Sequence, residues 1–197
     1  MPQSSGSALD ESWNRTRVLT SPACTTFCAI SNAHPRSAFG ARSALADSAL
    51  TEAERRFLLE LNRLGVRFLL VGASAAVLQG ANTATQDLDL WFEETSDPRI
   101  GEAARSAGGA FISGGVGLRP PMIGGVALGD RLDVVVHMHG LQTFAEEYAS
   151  AKEIVVEGVP LRILALRRII ASKRAAGRAR DLAQIPALEE ALAALDE

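Results

Sequence analysis

The sequence predicts an α+β fold in which a small mixed β-sheet is covered by helices and followed by a C-terminal helical extension. Segments of helical periodicity alternate with short apolar segments of strand type between residues 51 and 138. From Leu166 onward, the apolar residues recur mostly at helical spacing. The chain has 197 residues, 47% of them hydrophobic, so it is long enough to bury a core.

Local signals predict the first elements. Thr51 and Glu54 form the Thr-x-x-Glu pattern of a capping box, so a helix is expected to begin there and to end at Gly65. The apolar run that follows it indicates a buried strand over 66–71. Gly72 comes directly after this strand, and a short helix is expected over 74–79.

The remaining elements follow from periodicity, prolines and glycines. Alternating apolar and polar residues predict a strand over 87–92, and Gly- and Pro-rich residues predict a loop or ragged hairpin over 108–130. The other expected elements are a helix from Asp97-Pro98 to Ala107, a strand over 132–138, a helix over 142–151, a hairpin turning at Gly158, and helices over 166–176, over 180–185 and after Pro186.

Residues 1–48 differ in composition from the rest and are expected to form a poorly ordered leader. They are rich in Ser, Thr, Ala and Pro, and they lack the apolar core of a secretory signal. Cys24 and Cys28 are interpreted as free thiols, because a zinc site needs four ligands. The working domain is placed at 49–197, with a core over 51–140 and a C-terminal hairpin and helices over 141–197. A cytoplasmic protein is expected.

The net charge of −3 conceals a strong segregation of charge. Residues 87–97 hold five acids and no base, whereas residues 160–180 hold seven basic side chains and no acid. This pattern favours one pocket with acids for a metal and bases for phosphate, although a grip on an RNA backbone and an ordinary solvated helix face are alternatives. The longest apolar run is shorter than the roughly 20 residues of a membrane helix, so no membrane partner is expected.

Acidic residues on two predicted strands form the first candidate site. Asp87 and Asp89 stand two apart on a strand, so they point to one face with Cα atoms about 7 Å apart. Asp133 begins a later apolar strand, and the three carboxylates converge if the two strands are neighbours. Carboxylate oxygens suit Mg²⁺, and clustered acids are typical of two-metal sites. Solvated acids at a strand end are the alternative interpretation.

The turn before this strand is built from small residues. Val71-Gly72-Ala73-Ser74 follows a strand and opens a helix, so a phosphate can approach its backbone N–H groups. Two alternatives stay open here, because Gly72 also suits a plain helix entry and Ser74 also suits a helix cap. His137 and His139, four and six residues after Asp133, are spaced too widely along a strand to share one metal ion without help from a loop.

The combined pattern resembles the nucleotidyltransferase superfamily with the DNA-polymerase-β-like fold. The residues that carry the resemblance are Leu70-Val71-Gly72-Ala73-Ser74-Ala75 and Thr85-Gln86-Asp87-Leu88-Asp89-Leu90. The stretch from Lys173 to Leu182 looks like the Lys…Gly-Arg-x-x-Asp-Leu signature of small bacterial nucleotidyltransferase-like proteins related to AbiEii-type toxins. The resemblance covers about residues 50–195.

The resemblance implies an Mg²⁺-dependent enzyme that transfers a nucleoside monophosphate from an NTP to a hydroxyl on RNA or tRNA, a protein or a small molecule. A toxin-like role with an antitoxin partner is one form of this function, and a non-catalytic or regulatory module with a degraded site is the alternative. The implied catalytic residues are Asp87, Asp89, Asp133 and Lys173, of which the three aspartates are also the metal ligands. The implied nucleotide-binding residues are Gly72, Ser74, Thr85, Lys173, Arg178 and Asp181.

The sequence departs from the family pattern at two positions. Ala73 stands where relatives carry Gly or Ser, and Thr83 stands where relatives often carry Arg. The first change leaves a backbone N–H available, whereas the second removes a cation that would bind phosphate or support the site.

Overall fold

The computed structural model describes residues 49–114 and 120–195. The expected leader with Cys24 and Cys28, and residues 115–119 of the expected loop, lie outside the described residues. The described helices and strands are, in chain order, α1 (Glu52–Arg63), β1 (Phe68–Val71), α2 (Gly72–Val77), β2 (Leu88–Phe92), α3 (Pro98–Ser106), β3 (Ala110–Ile112), β4 (Met122–Gly124), β5 (Leu132–Val135), α4 (Phe144–Ala149), β6 (Lys152–Val156), β7 (Val159–Ile163), α5 (Leu166–Ala176) and α6 (Ala179–Leu195).

Five strands form one mixed sheet in the order β5-β2-β1-β7-β6. Strand β2 is antiparallel to β1 and parallel to β5, whereas β7 is parallel to β1 and antiparallel to β6. Strands β3 and β4 pair separately as a short antiparallel ribbon within the region expected to be a ragged hairpin. The predicted α+β class with a mixed sheet is therefore confirmed.

The core lies on both sides of the central strand. All four residues of β1 are buried, as expected for a strand covered on both faces. No helix within the described ranges combines the length and apolarity that a bilayer crossing needs. The largest side chains with almost no exposure are Phe57, Leu58, Leu61, Leu69, Leu70, Leu90, Ile100, Leu128, Ile163, Leu164, Leu166 and Ile169.

The ends of several helices follow the local signals. The Thr51 hydroxyl accepts from the Glu54 N–H, and the Glu54 carboxylate accepts from the Thr51 N–H, which completes the predicted capping box of α1. Asp97 caps α3 with Pro98 in its first turn. Gly177 ends α5 with φ of 64°, a conformation that favours glycine because it has no Cβ.

The structure corrects the prediction for the C-terminal helices. A break was expected at Pro186, yet α6 runs without interruption from Ala179 to Leu195. A proline removes one helical hydrogen bond, but the ring of Pro186 faces solvent. The buried residues Ile185 and Leu188 on either side of it pack into the same core, and this packing outweighs the loss.

Two buried polar groups hold α5 in place beside the sheet. The Gln79 amide nitrogen donates to the carbonyls of Ala75 and Leu164, and its amide oxygen accepts from the Leu166 N–H at the start of α5. The buried Glu147 carboxylate of α4 pairs with Arg168 of α5. Helix α5 is thereby fixed against the sheet, and it presents its C-terminal end to the acidic strands.

Candidate functional site

A cleft of about 1050 Å³ opens between the acidic strands and the junction of α5 with α6. Asp87, Asp89 and Asp133 line this cleft together with Lys173 and Asp181 of the helical junction. Almost all of the residues proposed from sequence therefore face one space, although they come from segments nearly a hundred positions apart.

The strand register brings the acids together. Asp89 of β2 is the direct partner of Asp133 on the parallel neighbour β5, and Val71 of β1 is the partner of Asp89 on the other side. Asp87 immediately precedes β2 and is exposed to solvent. The two acidic strands are therefore neighbours, which is the arrangement that the convergence of the three carboxylates required.

Gly72 makes room for the Asp89 carboxylate. A Cβ added to Gly72 would lie 2.0 Å from Asp89 Oδ2, and the residue has φ of +63°, so glycine is required here on two grounds. The Ala73 N–H donates to the Asp89 carboxylate. The small-residue turn therefore receives an acidic side chain of the protein itself, and the N–H that was expected to be open to a phosphate is already used.

Asp89 is an acid of the cleft whose pKa is raised. Burial first, and then the charges of Asp133 and Asp87, raise the pKa of Asp89 to about 6, while Lys173 and the Ala73 N–H act in the opposite direction. A carboxyl held in its charged form at such a site is costly unless a cation enters. Ionised Asp89 therefore opposes folding of the ligand-free protein.

Lys173, Arg178 and Asp181 form a cluster at the junction of α5 and α6. Lys173 Nζ lies 3.0 Å from Asp181 Oδ1, and Arg178 donates to Asp181 Oδ2. Burial alone would raise the pKa of Asp181, but the hydrogen bonds from Lys173 and Arg178 outweigh it and hold that pKa below its ordinary value. Asp181 is thus an ionised carboxylate with only 5% of its side chain exposed.

The donor set of the cleft suits a hard divalent cation. The described lining residues include five carboxylates but only three basic side chains, so a polyphosphate would be repelled unless cations entered with it. In the part of the chain that the structure describes, no three His, Cys, Asp or Glu side chains form a ready-made metal-binding group. A Mg²⁺ ion fits this arrangement, because it commonly uses one or two carboxylates and completes its shell with water and phosphate oxygens.

Two residues proposed from the sequence are placed differently from the others. Ser74 is buried at 2% exposure, its hydroxyl donates to the Val71 carbonyl, and it does not line the cleft. Its position therefore lends no support to a phosphate contact. Thr85 lines the cleft, and its hydroxyl accepts from the Asp87 N–H, so it shapes the turn that presents Asp87.

The basic stretch is largely neutralised within the fold. Five of its seven basic side chains pair with carboxylates, which lie between 3 and 21 residues away in sequence. The stretch is therefore not an open cationic face of the kind that grips a nucleic-acid backbone. The pairs are Arg162–Glu153, Arg168–Glu147, Lys173–Asp181, Arg174–Glu189 and Arg178–Asp181.

Sequence reasoning missed Arg131. Its Nε donates to the Gln86 carbonyl at 2.7 Å, directly before Asp87, and its Nη1 lies 3.4 Å from the carboxylate of the fully buried Glu54. Arg131 therefore ties the acidic strand to the first helix. The only sequence signal is its position two residues before Asp133, which identifies it once the strand pairing is known.

The two histidines lie at the far end of the same cleft. The rings of His137 and His139 meet edge to face with centroids 4.8 Å apart, and both are exposed. They follow β5, which ends at Val135, so the strand spacing assumed from sequence does not apply to them.

Comparison with known proteins identifies the fold. No family model and no curated protein sequence matches the chain. The solution structure of the antibiotic-resistance factor ANT(2'')-Ia, an aminoglycoside nucleotidyltransferase, is similar with a TM-score of 0.51 and 18% identity, over 73% of this chain and 82% of that one. The fold of the described domain is therefore the nucleotidyltransferase fold.

Two further solved structures resemble the chain less closely. The crystal structure of ANT(2'')-Ia in complex with adenylyl-2''-tobramycin has a TM-score of 0.48 and 17% identity, over 72% of this chain and 88% of that one. An antigenic nucleotidyltransferase-like protein from Paracoccidioides brasiliensis has a TM-score of 0.43 and 17% identity, over 71% of this chain and 77% of that one.

Proposed function

We propose that this protein is an Mg²⁺-dependent nucleotidyltransferase that transfers a nucleoside monophosphate from an NTP to a hydroxyl group. The observation that carries the proposal is the register of Asp89 with Asp133 on adjacent parallel strands, beside Asp87 and across the cleft from Lys173. The raised pKa of Asp89 supports it, because repulsion among the acids is relieved when a divalent cation binds.

The proposed roles follow from placement. Asp87 and Asp89 would hold Mg²⁺, and Asp133 completes the acidic set. Bound Mg²⁺ would supply charge neutralisation for the phosphates during transfer. Gly72 keeps Asp89 in reach of the cleft, and Lys173 offsets part of the negative charge of the three acids.

The proposed reaction is a simple displacement at phosphorus. The acceptor hydroxyl gives its proton to the Asp133 carboxylate, and its oxygen bonds to the α-phosphorus of the NTP. The bond from the α-phosphorus to the bridging α,β-oxygen breaks, and pyrophosphate leaves with that electron pair. Asp133 is suited to the base role because it is exposed at the edge strand of the sheet, where an acceptor can reach it.

The acceptor is proposed to be a protein side chain or a small molecule rather than RNA. The pairing of five of the seven basic residues in the stretch of residues 160–180 with carboxylates supports this choice, because an RNA backbone is bound through unpaired cations. A toxin-like action on tRNA, with an antitoxin as partner, stays a prediction from the sequence resemblance alone.

Label transfer tests the proposal directly. The protein is incubated with each α-³²P-labelled NTP, Mg²⁺ and a cell lysate, and the labelled product is digested separately with ribonuclease and with protease. We expect transfer by the wild type and its loss in Asp87→Asn and Asp133→Asn. Asp130→Asn is the matched control, since Asp130 is an exposed acid of the same cleft outside the proposed ligand set, and it should retain transfer.

A non-catalytic nucleotide-binding module is the second candidate. Two observations favour it: Ser74 is turned into the core, and the Ala73 N–H already binds Asp89. Calorimetric binding of an NTP with Mg²⁺, without label transfer to any fraction of the lysate, would support this candidate and exclude the enzyme.

A further inference from the structure

The basic side chains that face the cleft differ in whether they are free to bind a ligand. Among the described lining residues they are Lys173, Arg178 and Arg180. The first two share the carboxylate of Asp181. The side chain of Arg180 has no hydrogen bond or ion pair with any described residue, and it is exposed to solvent.

Lys173 is poorly placed to give up its partner. Only 12% of its side chain and 5% of that of Asp181 are exposed, so little of the Lys173 ammonium is open to a ligand while it holds this carboxylate. Breaking one partner away from a buried pair costs several kcal/mol. The Lys173–Asp181 pair is therefore better suited to hold α5 and α6 together than to move towards a ligand.

Arg180 has an exposed side chain on a backbone that neighbouring bonds hold in place. It stands directly before Asp181 in the first turn of α6, and the bonds of Asp181 to Lys173 and Arg178 hold that turn against α5. The backbone of Arg180 is thus anchored at the cleft, while its guanidinium has no partner among residues 49–114 and 120–195. A guanidinium presents a planar set of N–H donors that matches two phosphate oxygens at once.

We propose that Arg180 is the residue with which this cleft binds the polyphosphate of its nucleotide, in place of Lys173. The inference deepens the proposed function and rests on it, because it assigns a ligand of the triphosphate class to one side chain of the same site. Asp87, Asp89 and Asp133 line the same cleft, so a triphosphate held at Arg180 would share one space with the acids that the proposed function assigns to Mg²⁺.

The test compares two unpaired arginines. Binding of ATP with Mg²⁺, and of inorganic tripolyphosphate with Mg²⁺, is measured by calorimetry for the wild type, Arg180→Gln and Arg167→Gln. Arg167 is the matched control, because it is also exposed and without an ion pair among the described residues, but it does not line the cleft. Thermal unfolding of each variant checks that the fold is retained.

We expect Arg180→Gln to weaken both ligands about tenfold or more, which is the usual effect of losing a charge-assisted hydrogen bond, and Arg180→Lys to recover part of the loss. Arg167→Gln should bind like the wild type. Equal binding by Arg180→Gln and the wild type would overturn the inference and leave the proposed function standing. A wild type that binds neither ligand would overturn both. Weaker binding by Arg180→Gln, together with no label transfer by the wild type, would support the role of Arg180 while refuting the enzyme.

Discussion

Replacing Asp89 with Asn should stabilise the ligand-free protein at neutral pH. The folded protein raises the pKa of this carboxyl from an ordinary value of 3.8 to about 6. That difference corresponds to about 3 kcal/mol by which ionised Asp89 opposes folding. An amide carries no charge and can still accept from the Ala73 N–H. Allowing for imperfect packing of the amide, we expect Asp89→Asn to gain about 2 kcal/mol at pH 7.5.

The sign of the pH dependence follows from the raised pKa. Between about pH 4 and pH 6 the folded protein binds more protons at Asp89 than the unfolded chain does, so the contribution of this residue to stability falls as the pH rises. The advantage of Asp89→Asn should therefore be small near pH 4.5 and reach its full size above pH 7. Comparing the variant with the wild type at each pH removes the titration of the groups that do not interact with Asp89.

Urea unfolding in the presence of a chelator measures the effect, and a gain of 2 kcal/mol also corresponds to a melting temperature about 5–10 °C higher. Asp87→Asn is the control, since Asp87 is exposed and its charge is solvated, so its removal should change stability much less. Two results would refute the reasoning. One is an Asp89→Asn variant that is less stable than the wild type at pH 7.5, and the other is a gain in unfolding free energy that is the same at pH 4.5 and pH 7.5.

Three further substitutions test the structure. Gly72→Ala should lose more than about 2 kcal/mol and all label transfer, because the new Cβ would meet the Asp89 carboxylate, whereas Gly80→Ala, with φ of +93° and open space around it, should lose only the cost of its backbone conformation. Arg131→Met should lower the unfolding free energy, measured by urea unfolding, by about 3 kcal/mol, since it leaves Glu54 buried without its cation. The double variant with Glu54→Gln should recover part of this stability, and no recovery would contradict the proposed role of the ion pair. Pro186→Ala should raise the melting temperature, because it restores a helical hydrogen bond at an exposed position of α6, and a fall would show that the ring packs favourably.

Features that depend on neighbouring residues were predictable from the sequence. The capping box of Thr51 with Glu54 and the end of α5 at Ala176 were predictable because their geometry involves only a few consecutive residues. The period-2 pattern around Asp89 likewise identified a strand with acids on one face. The sequence also indicated that Asp133 would lie near Asp87 and Asp89 if their strands were neighbours. It could not show that β2 and β5 are in fact paired.

Tertiary structure decided which of the candidate side chains are free to act. Ser74 faces the core and Lys173 is held by Asp181, whereas the Arg180 side chain lines the cleft without a partner in the described part of the chain. Pairing partners such as Glu147 and Glu189 lie on other helices, and Coulomb attraction depends on distance in space rather than on separation along the chain. The sequence by itself therefore determined the class of the fold and the chemistry available to it. Only the packing of α5 and α6 against the sheet decided which charged side chains form ion pairs within the protein and which are available to bind a ligand.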